Sequence, residues 1–365
     1  MIEPKTTIKD LYRIKDFGSD RTAYVRLDKN ERTTPFPDWA LKEMLDRISP
    51  ESLTMYPNQA PLYGRLSSFW QLDERFFLLT PGSDAAIKTI FETYVAPGDE
   101  VLFLDPTYAM VEVYAGMFAA RKVKVGFSPD LQLRFDALVA SITDRTRAVF
   151  IANPNQPTGT ILDDEQIEYL LEETYRTNTL IVFDEAYQPF SGQESVIRWV
   201  QKHPHLIITQ TFSKGAGLAA VRLGFICTDP RNINSLYKVK THADINLFAI
   251  KFGEYLLDHY DLVEEYVQSV KASKALIEEE MRKLEVEVLK GYANFVHLRF
   301  PDGVCLQSVA NELKKRGYLV RISGDGMPAV IERCIRITVG PVEQMREFLS
   351  VFKEVIATLA ARQAA

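Results

Sequence analysis

The chain has 365 residues, a formal net charge of −6 and an isoelectric point of about 5.6, and 46% of its residues are hydrophobic. This length supports one large core or two closely joined domains. The slightly acidic balance gives no reason to expect nucleic acid or an anionic membrane surface as a partner.

Cysteines, histidines and the first ten residues bear on compartment and metal content. The three cysteines are scattered without CxxC spacing, which favours a reducing compartment, and the five histidines lack the spacing of a metal site. The segment MIEPKTTIKD lacks the apolar core of a secretory signal. No apolar stretch approaches the roughly 20 residues that span a bilayer. We therefore expect a cytoplasmic protein without a metal.

Short apolar runs alternate with helical patterns through the middle of the chain, which predicts a mostly parallel sheet covered by helices. The predicted strands are residues 75–80, 100–104, 148–152, 180–184, 206–211 and 223–228, and the predicted helices are 84–94, 163–176 and about 262–284. The last third adds predicted strands at 294–300 and 334–339 and a closing helix at 342–360. We expect a large α/β domain over residues 46–262, and a smaller α+β domain from residues 1–45 and 263–365.

Polar residues that follow the predicted strands are candidates for a site, because ligands bind beyond the carboxyl ends of strands in an open α/β sheet. The first group is TPGSD at residues 80–84. Gly82 allows a tight turn, and the free amides at the start of the next helix, at Ser83 and Asp84, favour an anion such as phosphate. An ordinary helix cap explains the same residues, and this motif alone does not decide between them.

Two adjacent acids, Asp184 and Glu185, end the predicted strand 180–184 in the sequence DEAY. A buried carboxylate at Asp184 requires a cation or several hydrogen bonds, and a protonated pyridine nitrogen would be such a cation. A metal ion held by both acids and a cap on the following helix are the alternatives.

Lys214 follows the predicted strand 206–211 in the sequence TFSKGAGL. A lysine at the mouth of a crevice can form a Schiff base when desolvation or a nearby cation lowers its pKa. Arg222, eight residues further on, could meet a phosphate. A solvated lysine in a flexible loop is the alternative.

Two further segments carry candidate binding groups. The sequence NPNQPTG at residues 153–159 forms a rigid turn through its prolines, asparagines and glycine, and a side-chain amide of Asn155 or Gln156 could donate to an anionic ligand oxygen. Arg336 lies among alternating apolar residues of a predicted strand, where it needs an anionic partner. A substrate carboxylate and a structural salt bridge are both open.

Together, and at their separations in the chain, NPNQPTG, DEAY and SKGAGLAAVRLG resemble the fold-type I pyridoxal 5′-phosphate (PLP)-dependent aminotransferases of class I and II, within them the histidinol-phosphate aminotransferase group. The resemblance covers nearly the whole chain, from LDKNE at residues 27–31 to the Arg336 segment. It implies a large domain with a mostly parallel seven-stranded sheet, a smaller α+β domain with an N-terminal arm, and a homodimer with shared active sites.

The resemblance also implies a role for each candidate residue. Lys214 would hold PLP and move a proton between the substrate Cα and cofactor C4′, Asp184 would pair with the pyridine nitrogen, and Tyr187 would donate to the ring phenolate oxygen. Tyr108 would stack on the ring, and Tyr56 would reach the phosphate of the neighbouring subunit. The other cofactor-binding candidates are Gly82, Ser83, Asp84, Asn155, Gln156, Ser213 and Arg222. The substrate-binding candidates are Arg336, Arg321 and Asn30.

One residue departs from the pattern of the family. Such enzymes usually have asparagine directly before PTG, where it donates to the ring oxygen, whereas this chain has Gln156. Glutamine carries the same amide on a stem that is longer by one methylene group. We expect PLP binding to be retained, because Lys214 and Asp184 remain, and the tuning of the cofactor to differ.

The reaction implied is amino transfer between an amino acid or an amino-alcohol phosphate such as histidinol phosphate and a 2-oxo acid such as 2-oxoglutarate. In this expectation Arg336 clamps the substrate α-carboxylate and Arg321 meets a distal anionic group, although a surface salt bridge also explains Arg321. The alternatives are a PLP-dependent decarboxylase of a phosphorylated amino acid, an aromatic amino acid aminotransferase, and a non-catalytic PLP-binding module.

Overall fold

The computed structural model describes residues 2–9, 11–12, 20–128, 130–323 and 329–364. The strands are β1 (Val25–Arg26), β2 (Phe77–Thr80), β3 (Glu100–Asp105), β4 (Arg121–Gly126), β5 (Thr146–Ala152), β6 (Leu180–Asp184), β7 (Leu206–Thr211), β8 (Gly224–Thr228), β9 (Glu287–Leu289), β10 (Phe295–Arg299), β11 (Tyr318–Leu319), β12 (Arg321–Ile322) and β13 (Cys334–Thr338). The helices are α1 (Thr6–Lys9), α2 (Asp38–Asp46), α3 (Ala60–Trp70), α4 (Ser83–Tyr94), α5 (Ala109–Met117), α6 (Phe135–Ala140), α7 (Asp164–Arg176), α8 (Gln188–Ser191), α9 (Pro230–Tyr237), α10 (Leu247–Asp258), α11 (Asp261–Arg282), α12 (Leu306–Lys315), α13 (Ala329–Glu332) and α14 (Val342–Ala364).

A seven-stranded sheet lies at the centre of the larger part of the molecule, with strand order β2-β8-β7-β6-β5-β3-β4. The pairs from β7 through β6, β5 and β3 to β4 are parallel, and β8 runs antiparallel to both β2 and β7. The prediction of a mostly parallel α/β sheet is therefore confirmed. Its inner strands are apolar and buried, as is typical of strands that helices cover on both faces.

The edge strand β4 was not predicted from the sequence. Its residues, RKVKVG, alternate between charged and apolar side chains, and most of them are exposed or half-buried. The strand therefore lacks the continuous apolar run that marks its neighbours β3 and β5.

A second sheet of four antiparallel strands, in the order β12-β13-β10-β9, forms the smaller part of the molecule. Strand β1 near the N-terminus pairs with β11, and the amide of Leu27 donates to Leu319 O at 2.8 Å. The arm around residues 25–27 therefore joins the C-terminal part of the chain, as the expected smaller domain requires. The boundaries at residues 45 and 262 stay a prediction.

Helix α11 corresponds to the predicted helix at about residues 262–284. One side of it is buried, including Leu262, Val263, Tyr266 and Val270, and it packs against α14 and β9. The apolar side of this amphipathic helix thus packs on the smaller part of the molecule, and its charged side faces solvent. Among the described parts of the chain, no helix combines the length and apolar character needed to cross a membrane.

Candidate active site

A cavity of about 140 Å³ lies where the parallel strands of the large sheet end. The residues that line it come from the segments that follow β2, β3, β5, β6 and β7, so the turns of the sheet assemble one site from distant parts of the sequence. The lining residues are Ser83, Asp84, Tyr108, Ala152, Pro154, Gln156, Asp184, Ala186, Tyr187, Thr211, Ser213, Lys214 and Arg222.

Asp184, the last residue of β6, is a buried acid without a cationic hydrogen-bond partner among the described residues. Its carboxylate accepts hydrogen bonds from Thr209 Oγ1 at 3.0 Å and from the amide of Ala186 at 3.3 Å. Burial raises the pKa of Asp184 to about 6, and the nearby acid Asp84 acts in the same direction. A bound cation would reverse that shift, so this position suits a ligand that carries a protonated ring nitrogen.

The neighbouring acid Glu185 is engaged by protein donors. It accepts hydrogen bonds from Ser195 Oγ at 2.5 Å, the amide of Val196 at 2.7 Å and Gln210 Nε2 at 2.8 Å. These contacts explain the adjacent acids of DEAY, because one carboxylate lines the cavity and the other ties β6 to the segment around residue 195.

Lys214 and Tyr187 meet the N-terminal arm at the cavity. Lys214 Nζ donates to Lys29 O at 3.2 Å and lies 5.6 Å from the centre of the Tyr187 ring. Asn30 Nδ2 donates to the hydroxyl of Tyr187 at 3.0 Å. Because that bond uses Tyr187 as an acceptor, the hydroxyl hydrogen of Tyr187 is available to a ligand oxygen.

The turn between β2 and α4 has the shape of an anion cradle. Gly82 has φ +88°, and a Cβ added to it would lie 2.6 Å from Arg222 Nη2. Arg222 also has a positive φ of 60°, which is uncommon for a residue with a side chain, and its Nη1 donates to Ser213 Oγ at 3.2 Å. Arg222, Ser213 and the first residues of α4, Ser83 and Asp84, therefore line the same cavity, where an anion would meet a guanidinium and a helix N-terminus.

Tyr108 and Asp84 form one wall of the cavity. Asp84 accepts hydrogen bonds from the hydroxyls of Tyr114, at 3.0 Å, and Tyr108, at 3.4 Å. Burial raises the pKa of Tyr108 well above its usual range, so that hydroxyl stays protonated and Tyr108 presents a neutral aromatic surface to the cavity.

Arg336 lies behind the cavity wall. Its Nη2 donates to Asp28 O at 2.9 Å, its Nε is buried without a hydrogen-bond partner among the described residues, and its guanidinium lies 5.4 Å from the centre of the Phe295 ring. Burial lowers the pKa of Arg336. A half-buried guanidinium with an unused donor is suited to an incoming anion.

Six predicted residues are not among those that line this cavity: Gly82, Asn30 and Arg336, whose contacts are given above, and Asn155, Arg321 and Tyr56. The side-chain amide of Asn155 is bonded within its own region, to Thr107, Pro106 and Thr158, and Gln156 lines the cavity instead. Arg321 is exposed, opposite Arg336 in the antiparallel pair of β12 and β13. Tyr56 is 88% exposed on the single chain. Their predicted roles, like those of the residues that line the cavity, stay predictions.

Thr209 carried no recognisable pattern in the sequence, yet its hydroxyl donates to Asp184. Ala152, Pro154 and Ala186 shape the cavity wall, and they belong to the predicted strand 148–152 and to the motifs NPNQPTG and DEAY. Thr209 lies inside an apolar strand, where a threonine is ordinary, so its contact with Asp184 depends on the pairing of β6 with β7.

The site matches PLP in three places. The buried Asp184 has no cationic hydrogen-bond partner among the described residues, and a pyridinium ring would supply one. The cradle at Gly82 and Arg222 suits a phosphate group. Lys214 lines the same cavity. An acid on one side and an anion cradle on the other suit a single molecule that carries a cationic ring at one end and a phosphate at the other.

Fold and site together define a PLP-dependent enzyme of the α/β class. The sequence profile described as aminotransferase class I and II matches residues 23–352, so the chain belongs to that family. It is a PLP-dependent aminotransferase.

Similar proteins span nearly the full length of the chain. Histidinol-phosphate aminotransferase 1 of Carboxydothermus hydrogenoformans is 29% identical over 364 residues, covering 98% of this chain and 100% of that protein. The histidinol-phosphate aminotransferase of Bacteroides fragilis is 30% identical over 357 residues, covering 95% and 97%. The crystal structure of histidinol-phosphate aminotransferase from Sinorhizobium meliloti in complex with pyridoxal 5′-phosphate has a TM-score of 0.86 at 21% identity, covering 98% and 99%.

Proposed function

We propose that this aminotransferase takes its amino group from an amino-alcohol phosphate of the histidinol phosphate type and passes it to a 2-oxo acid such as 2-oxoglutarate. The observation that carries this proposal is the placement of Arg321 opposite Arg336 in paired strands. One substrate of such an enzyme carries a phosphate and the other a carboxylate, and both must bind in turn. Two neighbouring guanidinium groups suit a phosphate, and the half-buried one alone suits a carboxylate.

In this proposal, the residues at the cavity hold the cofactor in a fixed orientation. Asp184 keeps the ring nitrogen protonated, Tyr187 and Gln156 donate to the ring oxygen, and the residues around Arg222 bind the phosphate. Bound PLP supplies an electron sink for the electron pair that is left on the substrate Cα. Tyr108 covers one face of the ring and keeps water from it.

Lys214 would act as the base and the acid of the reaction. Its Nζ would remove the proton from the substrate Cα and deliver that proton again at C4′ of the cofactor. Lys29 O, 3.2 Å from Nζ, would hold the amine near the cavity between these steps.

A panel of amino donors tests the substrate class. We expect phosphorylated amino alcohols to change the absorbance of the bound cofactor faster than amino acids without a phosphate do. Arg321→Gln should raise the KM for the phosphorylated donor by about 30-fold, since charge-assisted hydrogen bonds of about 2 kcal/mol are lost, and should leave donors without phosphate unchanged. Arg299→Gln is the matched control, because Arg299 belongs to the same sheet and pairs with Glu287.

Two outcomes of the panel would contradict the proposal. Faster conversion with aromatic amino acids would favour the aromatic amino acid aminotransferase. Release of carbon dioxide from a phosphorylated amino acid, without dependence on a 2-oxo acid, would show the decarboxylase instead.

We also propose a homodimer with shared active sites. Leu53, Met55 and Tyr56 lie together in the segment between α2 and α3, and their side chains are 60%, 63% and 88% exposed on the single chain. Apolar side chains so exposed in one short segment are typical of a protein–protein contact. A contact there would bring the hydroxyl of Tyr56 to the neighbouring subunit.

We propose a cytoplasmic location because the cysteine side chains are thiols. Cys227 and Cys305 are free thiols, and the first is buried whereas the second is exposed. Free thiols of this kind persist in a reducing compartment.

A further inference from the structure

A buried histidine connects the smaller sheet to the turn that carries Gln156. His297 lies on β10, its side chain is 4% exposed, and its Nε2 is 2.7 Å from Pro157 O. A carbonyl oxygen only accepts hydrogen bonds, so Nε2 carries the hydrogen and donates it. Burial lowers the pKa of His297 to about 4, and the imidazole is therefore neutral near pH 7.

Both ends of this contact reach the active site. Pro157 directly follows Gln156, which lines the cavity. On the other side, His297 is the register partner of Arg336 in the pair of β10 and β13. The ring of Phe295 packs edge-on against the rings of both His297 and Tyr187, at 5.7 Å in each case.

We propose that His297 is a positioning residue, which holds the Gln156 turn at a fixed distance from the cofactor ring through its hydrogen bond to Pro157 O. The inference rests on the proposed role of Gln156 and is independent of the identity of the amino donor. Glutamine has one more rotatable bond than the asparagine usual in this family. Its amide is aimed well only if the backbone of the turn is fixed.

Packing alone does not explain a histidine at this position. An apolar side chain would fill the same space among Phe295 and its neighbours without the cost of burying a polar ring. The Nδ1 atom of His297 is buried without a hydrogen-bond partner among the described residues, so that part of the cost remains. The bond to Pro157 O compensates for the burial of the other ring nitrogen, Nε2.

The spectrum of the holoenzyme without substrate tests this role. The readout is the pH midpoint at which the absorbance of PLP bound to Lys214 shifts. His297→Leu removes the donor, whereas His297→Gln keeps an amide donor near the place of Nε2. His205→Leu is the matched control, because His205 is also partly buried, has its pKa lowered to about 4, and contacts Leu171 O through Nε2 at 3.0 Å, at the amino end of β7.

We expect His297→Leu to raise the midpoint by about half a pH unit or more, because a weaker donor to the ring oxygen disfavours its anionic form. His297→Gln should restore the midpoint of the unmodified enzyme, and His205→Leu should leave it unchanged. In a Gln156→Ala background, His297→Leu should add no further shift, since the amide it positions is gone. His297→Asn, whose shorter amide does not reach Pro157, replaces His297→Leu if that variant fails to fold.

An unchanged midpoint in His297→Leu would overturn the inference, and so would a midpoint that does not respond to Gln156→Ala, because the inference rests on the role of Gln156. A shift that persists undiminished in the Gln156→Ala background would also overturn it. These measurements use no amino donor, so a failure of the proposed substrate class in the donor panel is distinguishable from a failure of this inference.

Discussion

The carboxylate of Asp184 is buried with two neutral donors and with a second acid, Asp84, on the same cavity wall. Burial raises its pKa to about 6 from an ordinary value of 3.8. Between these two values the folded chain keeps a proton that the unfolded chain releases. The cofactor-free protein therefore loses stability as the pH rises from about 4 to about 6, and the loss is complete at neutral pH.

Asp184→Asn is expected to stabilise the cofactor-free protein and to weaken its binding of PLP. Without PLP, the variant should be more stable at pH 7.5 by on the order of 2 kcal/mol, because no charge is buried. With PLP, its affinity for the cofactor should fall at least about tenfold, because a neutral amide does not pair with a pyridinium ring. Urea unfolding without PLP and fluorescence titration with PLP measure the two effects.

Asp229→Asn should have the opposite effect on stability, because the pKa of Asp229 is lowered where that of Asp184 is raised. Arg231 donates to Asp229 and lowers the pKa of its carboxyl group, so that this acid stabilises the fold above its unfolded pKa and loses the effect as the pH falls. The variant should be slightly less stable than the unmodified protein at pH 7.5. A loss of stability in cofactor-free Asp184→Asn would contradict the account of the buried charge.

At the residue scale, the sequence predicts those site residues that have an unusual chemical type directly after a strand. Asp184, Tyr187 and Lys214 are such residues, and all three line one cavity. Thr209 and His297 are not predictable in this way, because each lies inside a strand and acts through a contact that exists only after two distant segments have packed.

The turn between β2 and α4 shows how one element depends on a single glycine. Gly82→Ala should lower PLP affinity by about tenfold or more, because the added Cβ would lie 2.6 Å from Arg222 Nη2 and displace the guanidinium from the cradle. Backbone strain at positive φ adds a stability cost of about 1 kcal/mol or more. A PLP titration and thermal unfolding separate the two effects.

Gly98→Ala is the matched control for this turn. Gly98 has φ +90°, but a Cβ there would meet no atom within 4 Å. We expect that variant to show a comparable loss of stability with unchanged PLP affinity. Equal PLP affinity in both variants would show that the cradle does not depend on the clash with Arg222.

Element prediction succeeds where burial alone produces the pattern. Strand β6 begins and ends at the predicted residues, since it is an apolar run buried on both sides and bounded by polar residues. Strand β4 was missed because an edge strand needs no such run. The reversed direction of β8 depends on its pairing with β7, the strand before it in the chain, and with β2, which is distant in sequence. Local pattern therefore determines where strands lie and leaves their order open.

At the scale of the whole molecule, the exposed residues Leu53, Met55 and Tyr56 are the proposed contact with a second subunit. In the proposed homodimer, each active site takes Lys214 from one subunit and Tyr56 from the other. The Tyr56 hydroxyl would bind the cofactor phosphate there, so Tyr56→Ala should weaken activity at low PLP, and Lys214→Ala should abolish it because the base is lost.

Mixing these two inactive or weakened variants under conditions that exchange subunits should restore activity. In a mixed dimer, the Tyr56→Ala subunit keeps its own Lys214 and receives an intact Tyr56 from the Lys214→Ala subunit, so one of the two sites is complete. The assay is turnover at limiting PLP before and after exchange, with sedimentation to confirm the dimer. The matched control mixes Lys214→Ala with Lys88→Ala, since Lys88 is an exposed residue of α4. This mixture should have no more activity than a mixture of Lys214→Ala with the unmodified chain. Activity that stays at the simple average of the two variants would place Tyr56 outside the neighbouring site, because a residue that acts only within its own subunit gains nothing from exchange.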